Sequence, residues 1–274
     1  MPKLKARISR SLMKALHEEQ ALTGETIDHI VSRALAETLQ VDHGTLFQVS
    51  TAGALVEGVT GDAVSVKTLR EHGDFGLGTF TGFDGEMTVL GGHFFQIRAD
   101  GVIVDAPDDA MTPFAVVTHF TADESFELGA FASIADLAAQ LDARRDSDNR
   151  FYAVRIDATF TAMKTRSVHR QEVGDTLAHA AEGQVVFEFA DVTGTLVGFW
   201  TPAYAKTVNI PGWHLHFLSD DHSRGGHLLD CAATGASASL QKLNDFRVAI
   251  PETQAFLSAE LGGDPTAALE KAEH

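Results

Sequence analysis

The sequence has little cysteine, few basic residues and no long apolar run, and each shortage excludes a class of protein. With one cysteine, Cys231, no intramolecular disulfide can form, so we expect a cytoplasmic chain held together by its core. No stretch reaches the roughly 18 apolar residues of a membrane span. Lysine and arginine number 21 against 38 acidic residues, a net charge of −17. This balance argues against nucleic-acid binding over most of the surface.

What is abundant is alternation of Val, Phe and Thr with glycine turns, from residue 44 onward. Three helical stretches interrupt it, at about 65–71, 132–144 and 173–181. The pattern predicts an α/β fold, β-rich and mixed, with two β-rich domains and few helices. We expect a division into residues 1–42, 43–148 and 149–274, with the charged segment 142–149 marking the second boundary. Strands are predicted at 45–51, 85–90, 93–100, 114–120, 152–160 and 184–190.

The first forty residues differ from the rest because they carry a basic, amphipathic pattern. Lys3, Lys5 and Arg7 alternate with apolar residues, which has the period of a short strand. Two helical periods follow, separated by Gly24 as a stop signal and Thr26 as a cap. Strand, helix and helix in this order resemble a ribbon-helix-helix module.

That resemblance implies pairing of two chains through their strands, so we expect a homodimer or a higher oligomer. It also implies a basic ribbon face of the kind that reads DNA in the family. A dimerisation arm with a solvated basic face is the interpretation we favour, because the body of the chain is acidic.

Three histidines near residue 220 form the most informative pattern. His214 and His216 are one residue apart, so on a strand both imidazoles lie on the same face. The polar, glycine-rich segment after them favours a hairpin turn, and a turn near 221–222 would place His227 opposite His216. Three nitrogen ligands with open positions are typical of a catalytic zinc or a related divalent ion. A cupin would need a Glu shortly after His216, and the sequence offers only Asp there.

Segments spread over residues 44 to 250 are similar to the α-acetolactate decarboxylase family. They are LFQVSTAGALVEG (46–58), HGDFGLGTFTGFDGEM (72–87), TPFAVVTHF (112–120), YAVRIDATF (152–160), KTRSV (164–168), FEF (187–189), GTLVGFWTP (194–202) and PGWHLHFLSDDHSRGGHLLD (211–230). Their order and number carry the resemblance. It implies two β-rich domains and a zinc ion held by three histidines.

The resemblance also implies the residues of the site. His214, His216 and His227 would be the zinc ligands, and Glu86, Arg166 and Thr79 would line the active site. A glutamate near the C-terminus reaches the metal in the family. Glu273 fits by its distance from the end, with Glu270 as its rival.

The implied reaction converts 2-acetolactate to acetoin and CO2 in acetoin biosynthesis. The metal would polarise the ketone and hydroxyl oxygens of the substrate. Arg166 would orient the carboxylate or the developing oxyanion, and a protonated Glu86 would deliver a proton. On the residues alone, we favour an exposed hairpin residue for Glu86 and a solvated strand residue for Arg166. The second hypothesis is a ligand-sensing regulator that binds DNA through residues 1–42.

Overall fold

The computed structural model describes residues 4–39 and 44–273, with side chains as far as Leu269. Contacts divide the chain into two compact units, Met1–His43 and Gly44–His274. Among the described residues, no helix combines the length and the apolar character that a membrane crossing requires. The predicted boundary at residue 42 and the basic residue Lys3 lie outside the described residues.

The N-terminal unit contains the two predicted helices, α1 (Arg10–Thr23) and α2 (Ile27–Leu39). The Ser9 hydroxyl caps α1 by accepting from the Leu12 amide, and Gly24 ends the helix with φ +78°. The Thr26 hydroxyl accepts from the His29 amide at the start of α2. Both helices, the glycine stop and the threonine cap are therefore confirmed.

The segment before α1 carries no strand in its described part, residues 4–9. A two-stranded ribbon needs a second strand that supplies backbone hydrogen bonds. Within residues 4–39 the regular secondary structure consists of the two helices, so no such strand is available there. No residue of α1 is buried, and Leu4, Ile8, Leu12 and Met13 are exposed. The ribbon strand would form only when two chains pair, and it therefore stays a prediction.

The larger unit contains fifteen strands and six α-helices among its described residues. The helices are α3 (Ala52–Val56), α4 (Val66–Arg70), α5 (Ile134–Asp142), α6 (Leu177–Glu182), α7 (Gln254–Ser258) and α8 (Thr266–Glu273). The strands are β1 (Thr45–Val49), β2 (Val64–Ser65), β3 (Phe75–Thr79), β4 (Glu86–Leu90), β5 (His93–Ile97), β6 (Ile103–Asp105), β7 (Met111–Thr112), β8 (Ala115–Thr118), β9 (Glu124–Leu128), β10 (Phe151–Ser167), β11 (Val185–Thr201), β12 (Gly212–Ser219), β13 (Gly225–Ala233), β14 (Ala236–Leu243) and β15 (Asp245–Ala249). All six predicted strands and all three predicted helices are present.

Two large sheets make up this unit. The first has the order β15-β1-β8-β3-β4-β5-β6 and the second β11-β12-β13-β10-β14-β9, while β2 and β7 form a separate small pair. Only β1 and β15 run parallel in the first sheet, so the sheet is mixed, as the sequence predicts. β10 and β11 are 17 residues each, far longer than the mean strand, and they pair along nearly their whole length.

One of the two large core clusters draws side chains from both sheets, for example Phe75 and Leu77 from β3 with Val197 and Phe199 from β11. Each sheet also takes one strand from the other half of the sequence, β15 in the first sheet and β9 in the second. The predicted division at residue 148, between α5 and β10, stays a prediction. The functional consequence is that β4 and β12 come from different sheets and lie in contact.

Candidate metal centre

Two of the candidate ligands lie on β12, where alternation places them on one face. β12 pairs with β11, which sets His214 opposite Phe199 and His216 opposite Val197. The residue between the histidines, Leu215, is buried in the core of the second sheet on the opposite face. The predicted orientation of the His-x-His pair is confirmed.

The third candidate ligand is delivered by the hairpin between β12 and β13. Its loop is closed by the Ser219 amide, which donates to the Arg224 carbonyl at 2.8 Å. The Asp221 carboxylate accepts from the Ser219 and Ser223 hydroxyls, both at 2.7 Å, so the turn carries its own hydrogen bonds. This register pairs His216 directly with His227, as the sequence predicts.

The three imidazoles converge in a buried cluster. Their exposed fractions are 8% for His214, 0% for His216 and 3% for His227. One nitrogen from each ring lies within 4.8 Å of the other two. His214 Nε2 and His227 Nδ1 are 3.2 Å apart, close to the edge of about 3.3 Å that follows from tetrahedral zinc with bonds of about 2.0–2.1 Å.

The orientation of His216 tests whether the cluster suits a metal. Its Nδ1 donates to the Met87 carbonyl at 2.8 Å, so Nε2 carries the lone pair. Buried His216 Nε2 has no hydrogen-bond partner among the described residues. A buried acceptor without a partner is costly, and a metal ion at that point would satisfy it.

The charge state of His216 also suits a ligand. Burial lowers the pKa of the His216 imidazole well below its usual range, and the neighbouring His214 and Arg166 lower it further. The hydrogen bond to the Met87 carbonyl raises this pKa, but its effect is smaller than the effect of burial. The ring is therefore neutral near pH 7, which is the form that binds metals.

A salt bridge faces the histidines from two other strands. Glu86 opens β4 directly after Gly85, whose φ of +84° suits a tight turn. Arg166 lies near the end of β10, where the register sets it opposite His227. Arg166 Nη1 donates to Glu86 Oε1 at 2.6 Å, and Glu86 Oε2 is 3.6 Å from His216 Nε2. Both side chains are buried, so neither is the exposed turn or strand residue that the sequence also allowed.

These residues share one cavity with Thr79. The cavity has about 460 Å³ of empty space, part of it open to solvent. The Thr79 hydroxyl borders it and donates to the Gly85 carbonyl at 2.8 Å, in the turn that precedes Glu86. The apolar part of its lining, named the apolar wall from here on, consists of Leu55, Phe83, Phe114, Val168, Leu177, Ala181 and Ile210.

Three further residues lie apart from this cavity or beyond the described side chains. Glu273 and its rival Glu270 both fall in α8, and their side chains lie outside the described part. Cys231 is buried, and burial with the nearby Asp230 raises the pKa of its thiol to about 12. A thiol in that state is a poor nucleophile.

Comparison with known proteins identifies the family of the chain. A family described as "Alpha-acetolactate decarboxylase" matches residues 46–263, most of the larger unit. The chain belongs to the alpha-acetolactate decarboxylase family. Curated members of the family include the enzyme of Methanosarcina mazei, 46% identical over 83% of this chain and 80% of that protein. The Methylococcus capsulatus member is 42% identical over 85% of this chain and 90% of its own.

The fold of the family agrees with the structure described above. The crystal structure of the Bacillus subtilis strain 168 member has a TM-score of 0.81 and 32% identity, covering 84% of this chain and 99% of its own. Family members are carboxy-lyases, so the prediction of this enzyme class is confirmed. Residues 1–45 lie outside the family match.

Sequence reasoning missed two parts of the candidate site. One is the Met87 carbonyl, because a backbone group that accepts from a histidine leaves no mark in the sequence. The other is the pair Leu177 and Ala181, which α6 places on the apolar wall. Their spacing of four residues puts them on one helical face, but the sequence does not show that this face meets the histidines.

Replacing His216 by alanine tests the metal centre. We expect the affinity of the variant for a divalent ion to fall by more than roughly 10- to 100-fold. That is the cost of removing a residue that only supports a ligand, and His216→Ala removes a direct ligand. The measurement is metal content after dialysis against a limiting chelator. The matched control is His179→Ala, since His179 is exposed on α6. Equal metal retention in both variants contradicts the assignment.

Proposed function

We propose that this chain decarboxylates 2-acetolactate to acetoin and CO2. The observation that carries the proposal is one cavity in which three buried histidines face the Glu86–Arg166 salt bridge, within a chain of the alpha-acetolactate decarboxylase family. The acidic chain would act in the cytoplasm, where its buried cysteine needs no partner.

The donor set suits zinc, although imidazole nitrogens also bind other divalent ions. His214, His216 and His227 would hold the ion, and the orphaned His216 Nε2 supports that choice. When bound, the ion supplies a Lewis acid that polarises the ketone and hydroxyl oxygens of the substrate. The β4 backbone contributes by holding the His216 ring in one tautomer through Met87.

Arg166 and Glu86 would divide the remaining work. The planar guanidinium of Arg166 would orient the substrate carboxylate or the developing oxyanion. Loss of CO2 leaves an enediolate, and conversion of the acetolactate anion to acetoin consumes one proton overall. Glu86 would deliver that proton to C2 from one face. Since Glu86 accepts from Arg166 in the resting site, it must take up a proton from water before it donates one.

Thr79 and the C-terminal glutamate would have supporting roles. Thr79 would line the substrate cavity and fix the turn before Glu86, which its hydrogen bond to Gly85 supports. Glu273, or Glu270 in its place, would reach the metal by analogy with the family. α8 packs against α6 beside the cavity wall, so its position agrees with such a role.

Acetoin formation tests the proposed reaction. We expect the metal-loaded protein to convert racemic 2-acetolactate to acetoin well above the spontaneous rate. A strong chelator should remove the activity, and added zinc should restore it, because the metal polarises the reacting carbonyl. The readout is acetoin by colorimetry with CO2 release in parallel. A rate equal to the spontaneous background from fully metal-loaded protein would reject the proposal.

The Arg166→Lys variant tests the guanidinium separately from the positive charge. We expect kcat/KM to fall by about 10²-fold or more, because one ammonium cannot reproduce the fixed donors of the planar group. The control is Arg155→Lys, since Arg155 pairs with Asp157 on the half-exposed part of β10. Steady-state kinetics with metal content held equal measures both. If the two variants match the parent enzyme, Arg166 has no role in the reaction.

The N-terminal unit would join two copies of the chain. Its exposed apolar residues, among them Leu4, Ile8 and Leu12, support this, since exposed apolar clusters mark association surfaces. The alternative role is DNA binding by a regulator, which the exposed Lys5 and Arg7 favour. The acidic net charge of the whole chain favours association over DNA binding.

Charge placed on α1 tests the association. Leu12 is 50% exposed, and we expect Leu12→Glu to shift sedimentation from dimer toward monomer, because a carboxylate resists burial. Leu257→Glu is the matched control, since Leu257 is 66% exposed on α7. An unchanged sedimentation profile in the α1 variant contradicts the proposal.

A mobility-shift assay at moderate salt tests the alternative role in DNA binding. Salt-sensitive binding that is lost in the double variant Lys5→Glu with Arg7→Glu would establish that role.

A further inference from the structure

We propose that Ala181, on α6, sets the size limit for the alkyl groups of the substrate. The inference rests on the proposed function, since it concerns how the same cavity selects among 2-hydroxy-3-oxo acids. It assigns a specificity-determining role to a helix that contributes no polar group to the cavity.

The lining of the cavity contains two chemically distinct sets of residues. The histidines, Glu86, Arg166 and Thr79 are polar, and seven side chains are apolar. 2-Acetolactate has the same division, because its carboxylate, hydroxyl and ketone oxygens are polar and its two methyl groups are not. Oxygens that face the histidines leave the methyl groups to the apolar wall.

Most positions on the apolar wall already carry large side chains, and only Gly78 and Ala181 are small. Gly78 cannot take a larger residue, because an added Cβ would lie 2.5 Å from the Phe114 carbonyl oxygen and 2.7 Å from Ala115 Cα. Its size is therefore fixed by the close approach of β3 and β8. Ala181, by contrast, is half-buried and borders the open cavity, so we expect this position to accept a larger side chain.

α6 is held firmly enough for a change at Ala181 to act on the cavity. The Thr176 hydroxyl caps the helix by accepting from the His179 amide. Leu177 and Ala180 are buried in the core cluster that also contains Leu269 of α8. Because α8 and α3 both pack against α6, added volume at Ala181 will enter the cavity more readily than it will displace the helix.

An apolar wall lowers the catalytic efficiency for a larger substrate by an amount whose range is known. One additional methylene against a filled hydrophobic wall costs about 10- to 200-fold in kcat/KM. A branched side chain at position 181 would narrow the cavity at its apolar wall and leave the methyl substrate as the one that fits best.

The experiment compares three substrates in the metal-loaded, full-length enzyme. They are 2-acetolactate, its 2-ethyl homologue (2-ethyl-2-hydroxy-3-oxobutanoate) and the homologue with a longer acyl group (2-hydroxy-2-methyl-3-oxopentanoate). Ala181→Leu is expected to lower kcat/KM for at least one homologue by about tenfold more than for 2-acetolactate. Leu177→Ala enlarges the same wall and is expected to shift the ratio the other way. Ala181→Val serves if the leucine variant fails to fold.

The matched control is Ala178→Leu, the same substitution on the same helix at a residue that does not line the cavity. It is expected to leave the substrate ratios at their parent values. An equal fall for all three substrates in Ala181→Leu, or the same ratio shift in Ala178→Leu, overturns the inference while the proposed function stands. A parent enzyme that makes no acetoin from 2-acetolactate overturns the proposed function itself.

Discussion

A single hydrogen bond between the two sheets organises the site: His216 on β12 donates from Nδ1 to the Met87 carbonyl on β4. It fixes the tautomer of the ring and points Nε2 toward the other two histidines. It also ties β12 to the strand that begins with Glu86, so the salt bridge to Arg166 reaches the same place. This contact thus orients the His216 ring and brings β4, with Glu86 at its start, against the histidines of the second sheet.

The second sheet could bring the histidines together without help from the first. Alternation on β12 and the hairpin turn are local, and local patterns are what a sequence displays most clearly. The pairing of His216 with His227 was therefore predictable from spacing alone. The contact between Glu86 and Arg166 was not, because they are 80 residues apart and meet only where the sheets pack. Similarity to the family supplied what periodicity could not.

The fold shows the same contrast between local and distant information. The predicted strands and helices are present, yet no pattern in the sequence indicates that β15, which comes about 200 residues later in the chain, lies parallel to β1. The strands predicted at 152–160 and 184–190 cover only part of β10 and β11, because the remaining residues of each strand lack a regular alternation of apolar and polar side chains. Ala181 and Leu177 were part of a predicted helix, but the face that meets the cavity depends on packing against α8 and α3.

The central claim is that three histidines hold one divalent ion beside the Glu86–Arg166 salt bridge. Anomalous X-ray scattering at the zinc absorption edge, from crystals of protein that forms acetoin, tests it most directly. The account predicts one strong peak at about 2.0–2.1 Å from a nitrogen of each of His214, His216 and His227. A fully active crystal with no peak at the three histidines, or with its only peak elsewhere, would contradict it.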